Sequence, residues 1–158
     1  MPYNNTIVQV IQLMLAPGIM ISACGLLLLG MNNKYSLVVN RIRLLNEERR
    51  KVLNKTSLKE YNYEENIRIE SISLQLEKLN LRAKLVRNAV LSYTIAVALF
   101  VITSLLIGIQ YFAEFNLNIM ITIFFLIGML SVLAGVLCAA YETKEGYKII
   151  QLEVKIDE

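Results

Sequence analysis

Histidine and tryptophan are absent from this 158-residue chain. Without histidine it lacks the commonest acid/base group of neutral pH and a common metal ligand. No Ser/His/Asp set can form, and there is no glycine-rich phosphate loop. Only two cysteines occur, Cys24 and Cys138, both inside apolar runs. They read as thiols on small-residue helix faces, not as a disulfide framework or a metal site. No catalytic, cofactor-binding or metal-ligating residue is therefore expected, and the chain does not read as an enzyme.

Charge is also missing over long distances. No Asp, Glu, Lys or Arg occurs from Met1 to Asn33, from Asn88 to Ala113, or from Phe115 to Tyr141. Each stretch exceeds the roughly 20 residues that cross a hydrocarbon core of about 30 Å. Apolar residues make up 56% of the chain, above the range of about 45–50% for soluble domains, and a protein this short has little interior in which to hide three such segments. The first stretch has no basic residues before it and no A-x-A-type cleavage site after it, so it reads as a retained helix. No lipidation signal is apparent. The expected fold is an all-α membrane protein, with three transmembrane helices and a cytoplasmic antiparallel helical hairpin between helices one and two.

Four segments follow from this pattern. Residues 1–32 carry transmembrane helix one, expected to kink near Pro17, where a backbone donor is missing. Ser22, Ala23, Cys24 and Gly25 are small enough to let another helix approach closely. Residues 33–88 read as the amphipathic hairpin. Val38, Ile42, Leu45 and Val52 form an apolar stripe, and a turn is expected around Asn54 to Ser57, with Ser57 and Glu60 as a capping box. After the turn, Ile69, Ile72, Leu76, Leu79, Ala83 and Val86 recur at heptad spacing and form the expected coiled-coil seam. A second apolar line through Ile67, Leu74, Leu81 and Leu85 suits either a second subunit or a broader packing face. Nothing separates Arg87 from the next apolar stretch, so this helix is expected to run into the membrane. Residues 89–140 hold transmembrane helices two and three, and residues 141–158 form a tail that reads equally as strand or surface helix.

Charge sets the expected orientation. Lys34 to Arg87 holds 13 Lys and Arg against seven Asp and Glu, while the first 33 residues and the 111–117 link hold no Lys or Arg. The positive-inside rule places the hairpin and the tail in the cytoplasm and the N-terminus outside, in the inner membrane of a cell.

The run from Leu15 to Glu47, LAPGIMISACGLLLLGMNNKYSLVVNRIRLLNE, carries I-S-A-C-G-L-L-L-L at Ile21 to Leu29 and R-I-R-x-L-N-E at Arg41 to Glu47. Arg82 to Leu91 reads R-A-x-L-x-R-N-A-x-L, and Leu99 to Gly108 reads L-F-V-x-T-S-L-L-x-G. These segments resemble a bacterial membrane-protein family, domain of unknown function 2721, over nearly the whole chain. The resemblance implies fold and membrane location and no biochemical activity. One departure is Asn40, at a position often acidic in that family, so no salt bridge or cation-binding role is expected there.

Three sets of polar residues could carry function. Asn5, Gln9 and Gln12 line one face of the outer half of helix one. Amides in lipid need partners, so they fit either interhelical hydrogen bonds or a water-filled pore. Arg41, Arg43, Arg82, Lys84 and Arg87 lie close to the membrane ends and suit anionic lipid headgroups. Glu47, Glu48, Glu64 and Glu65 mix with Arg49, Arg50 and Lys51 and read as a solvated helix surface. No recognised nucleic-acid module is present. The functional reading is a membrane-embedded homo-oligomeric scaffold or interaction protein, with itself, anionic lipids and a cytoplasmic protein as partners. The alternative is a small oligomeric ion or solute channel with helix one lining the pore.

The orientation is directly testable. With Cys24 and Cys138 replaced, Glu114→Cys should react with a membrane-impermeant thiol reagent on intact cells and Lys59→Cys should not. The reverse pattern would overturn the assignment.

Overall fold

A computed structural model describes the backbone of residues 7–56, 63–113 and 116–156; the side chains of residues 55, 56, 64, 65, 113 and 147–156 lie outside the described set. Asn5 and the Ser57/Glu60 capping box also lie outside the described residues.

Three helices account for nearly all of this backbone: α1, Ile7–Thr56; α2, Tyr63–Ala113; and α3, Asn118–Ile156. At 1.5 Å per residue they are about 75, 77 and 59 Å long, longer than a bilayer crossing requires. Each is long and apolar enough to cross a membrane. The protein is an all-α, multi-pass membrane protein. α1 continues through Pro17 as one helix, with the proline buried.

Residues 33–88 contain no separate sub-structure among the described residues. The expected two-helix insert is instead the far end of α1 and the near end of α2, each continuous with its membrane stretch. The reason is local: neither proline nor glycine interrupts the chain from Met31 to Thr56, or from Tyr63 to Ile107, so nothing stops either helix at the membrane boundary. The tail is the helical alternative, because α3 runs on to Ile156.

α2 is the middle helix. It packs along both α1 and α3, while α1 and α3 touch each other little. Cys24 clusters with Ala96 and Phe100, Met31 with Val86 and Tyr93, and Leu45 with Ile72 and Leu79. As the α1 number rises the α2 number falls, so the two helices are antiparallel. The inward positions of α1 are Val10, Pro17, Cys24, Met31, Val38 and Leu45, each seven residues from the last and each buried. On α2 the matching line is Ile72, Leu79, Val86, Tyr93 and Phe100. A strict seven-residue repeat keeps one seam turned towards its partner along the whole length of a helix pair.

The α2–α3 contact is closer. A Cβ added at Gly128 would lie 2.8 Å from the Phe100 ring, and one at Gly135 would lie 2.6 Å from the Tyr93 ring. These glycines, seven apart, let the buried rings rest on the α3 backbone. Phe100 also meets Phe125 at 5.6 Å between ring centroids. Ser131 Oγ donates to the Ser92 carbonyl at 2.8 Å, and Gln110 Nε2 donates to Asn118 Oδ1 at 2.7 Å.

Gly135→Ala should therefore destabilise the protein by about 1–3 kcal/mol, the usual cost of overpacking. Gly108, with nothing within 4 Å of an added Cβ, should gain up to about 1 kcal/mol as Ala from helix propensity. Thermal unfolding in nanodiscs compares the two; equal effects would remove the close-contact account.

Candidate functional site

The polar feature that ties the helices together is a cluster of three charges. Glu142 is on α3, Arg82 on α2 and Lys34 on α1. Lys34 is the first charged residue after the 33 uncharged residues that open the chain, and Glu142 is the first after the stretch that ends at Tyr141. The antiparallel packing brings both to the level of Arg82.

The Glu142 side chain is 2% exposed, against 28% for Arg82 and 46% for Lys34. Arg82 donates to Glu142 Oε1 from Nε at 3.2 Å and from Nη2 at 2.8 Å. Lys34 Nζ donates to Oε2 at 3.1 Å and to Thr143 Oγ1 at 3.3 Å. The Thr143 hydroxyl in turn donates to the Ala139 carbonyl at 3.0 Å. Gly146 completes the site: a Cβ there would lie 3.1 Å from Arg82 Nη2, so the missing side chain lets the guanidinium lie against α3.

A buried carboxylate is costly unless paired and hydrogen-bonded. Burial pushes the Glu142 carboxyl up, but the hydrogen bonds and charges of Arg82 and Lys34 outweigh it and hold the group below its ordinary range. A carboxyl with a lowered value stabilises fully above the ordinary carboxylate range. That contribution is lost as the pH falls through the lowered value. Two cations on one carboxylate can orient helices and bind an anion.

The sequence-derived candidates distribute as follows. Arg82, expected above to meet anionic lipid, pairs with Glu142, while Arg41, Arg43, Lys84 and Arg87 are exposed. In the group 22–25, Cys24 is buried, whereas Ser22, Ala23 and Gly25 face outward and nothing lies within 4 Å of a Cβ on Gly25. The Ser22 hydroxyl donates back to Gly18 within its own helix at 3.3 Å. Close approach is supplied by Gly128 and Gly135, which the sequence reading passed over; their seven-residue spacing was the available signal. Of the seam residues, Ile72, Leu79 and Val86 are buried and Ile69, Leu76 and Ala83 half-buried. Gln9 and Gln12 lie on the exposed surface of α1. Among the charges 47–51, Glu48 accepts from Arg68 of α2 at 2.6 Å; Glu64 and Glu65 have side chains outside the described set.

Removing one partner from a buried pair usually costs about 3–5 kcal/mol. Arg82→Gln should fall at or below the low end, about 2–3 kcal/mol, because Lys34 still faces the carboxylate. Lys34→Gln should cost less, about 1 kcal/mol, since that ammonium is half in solvent. The wild type should also lose stability at acid pH in a step that Glu142→Gln lacks. Thermal unfolding of the purified variants against pH checks both; a larger loss for Lys34→Gln than for Arg82→Gln would contradict the assigned roles.

Comparison with curated proteins finds no match, and neither does comparison with solved structures. Residues 14–152 match the family model described as Protein of unknown function (DUF2721). That match takes in α2 whole, most of α1 and α3 and the Lys34–Arg82–Glu142 cluster, and the chain belongs to this family.

Proposed function

We propose that the protein is a membrane-embedded scaffold that self-associates through the helix ends projecting from the bilayer. The observation that carries this reading is an apolar line on the outer face of α2. Ile67, Leu74 and Leu81 are 51%, 54% and 59% exposed. Leu74 and Leu81 stand two residues beyond the buried Ile72 and Leu79, about 200° round the helix at 3.6 residues per turn, away from α1. All three precede the uncharged stretch that starts at Asn88, and Ile67 and Leu74 stand well beyond Arg82 on the charged end of α2. A heptad-spaced apolar line outside the bilayer suits another helix.

In this reading the ends of α1 and α2 act together as a cytoplasmic antiparallel hairpin, with the N-terminus outside and the C-terminus inside the cell's inner membrane, as the distribution of Lys and Arg favours. A second copy is the simplest occupant of the line, and a cytoplasmic protein partner would dock on the same assembly. Native mass spectrometry of the protein in nanodiscs should show an oligomer that Leu74→Asp with Leu81→Asp converts to monomer. The thermal stability of each chain should change little, since both side chains already face solvent. A wild-type monomer, or an oligomer indifferent to both substitutions, would remove the reading.

A second reading rests on the exposed amide of Gln12 in the outer half of α1. In a symmetric assembly with α1 around the axis, that amide would line a pore. Reconstituted oligomer in a planar bilayer should then conduct, and Gln12→Leu or Gln12→Glu should alter the conductance. Silence across voltages and common ions would reject an open channel.

A further inference from the structure

We propose that the Lys34–Arg82–Glu142 cluster is completed by a phosphate-bearing anion seated on Lys34, supplied by an anionic phospholipid of the adjoining leaflet. This inference requires membrane embedding only and stands apart from the self-association reading.

The first argument is charge. Lys34 and Arg82 bring two positive charges to the single carboxylate of Glu142. Arg82 spends Nε and Nη2 on Oε1, which leaves Lys34 with the shared remainder. Glu142 is the carboxylate that pairs with both cations among the described residues. An excess positive charge beside a low-dielectric slab is stabilised by a counter-anion at the same depth.

The second argument is donor geometry. An ammonium has three N–H donors. Lys34 directs Nζ at Glu142 Oε2 and at Thr143 Oγ1, and its side chain remains 46% exposed. Thr143 is fixed by its own bond to the Ala139 carbonyl, so Lys34 is held in place by two acceptors while a donor is left for a ligand. Glu142, at 2% exposure, is closed off behind it. The result is a positioned ammonium, unlike the exposed Arg41, Arg43, Lys84 and Arg87.

The third argument is depth. Lys34 and Glu142 are the first charges beyond two uncharged stretches, and Arg87, about a turn and a half from Arg82, is the last before the third. That places the cluster at the level of the headgroups, where lipid phosphates are the abundant anions and where basic residues gain from an anionic leaflet.

The test uses the full chain in nanodiscs of phosphatidylcholine, with and without phosphatidylglycerol. Phosphatidylglycerol should raise the melting temperature of the wild type by several degrees. Lys34→Gln should lose at least half of that rise, and Lys34→Arg should keep most of it. Lys144→Gln removes one exposed charge from the neighbouring residue of α3 and should keep the rise. Equal losses in Lys34→Gln and Lys144→Gln would mean diffuse attraction and overturn the site. Inorganic phosphate added to phosphatidylcholine discs should not reproduce the effect; a Lys34-dependent rise with phosphate alone would overturn the lipid as its source. A phosphatidylglycerol carrying a photoactivatable headgroup tests the same claim on the wild type. Adducts within residues 31–38 or 139–146 support the site, and adducts confined to other segments overturn it.

Discussion

The carboxylate of Glu142 is buried where three helices meet, and a buried carboxylate must be paired. Two cations meet that requirement, Arg82 on α2 and Lys34 on α1. Because both lie at a membrane boundary, pairing fixes the axial register of α3 against the other two helices. Gly135 stands one heptad back from Glu142, under Tyr93, and Gly128 two heptads back, under Phe100. A shift of α3 by one residue would separate the charges and drive helix backbone bearing side chains against both rings. The cluster also supplies direct polar links between α1 and α3, which otherwise touch little.

The seams run from the uncharged stretches into the charged ends of the helices, and their composition changes as they do. Outside the bilayer, Leu45, Ile72 and Leu79 pack together; burial of branched apolar side chains from water is itself the driving force there. Within the bilayer, lipid tails are as apolar as leucine, so helices gain from close packing instead. The α2–α3 contact meets that condition with Gly128 and Gly135 against two buried aromatic rings, and Ala89 and Ala96 are buried on α2 beside them. The same seven-residue spacing therefore serves both environments with different side chains.

Much of this was legible in the sequence because it depends on absence. Uninterrupted apolar runs gave the three spans, and the lack of a breaker after Arg87 gave the continuity of α2. The inward line of α1 was harder to see. Inside a membrane the outward face is apolar as well, so Val10, Pro17, Cys24 and Met31 do not contrast with their neighbours, whereas Val38 and Leu45 do. At the boundary of α1 the change from apolar to charged composition ends the membrane stretch but not the helix, which runs on to Thr56. The charge cluster was not legible. Lys34, Arg82 and Glu142 are far apart in sequence, and each resembles an ordinary flanking charge until α3 is laid against α2. Arg82 in particular was indistinguishable from Lys84 and Arg87 by composition.

Glu142 and its cations couple the helices, beyond merely decorating their ends. A double-mutant cycle tests this most directly, with Arg82→Met, Glu142→Met and the pair measured by unfolding in the same nanodiscs. The two single variants should each be destabilised, and the double variant by clearly less than their sum, giving a coupling of at least about 1 kcal/mol, within the range for residues in direct contact. Additive effects, with a coupling near zero, would contradict the account.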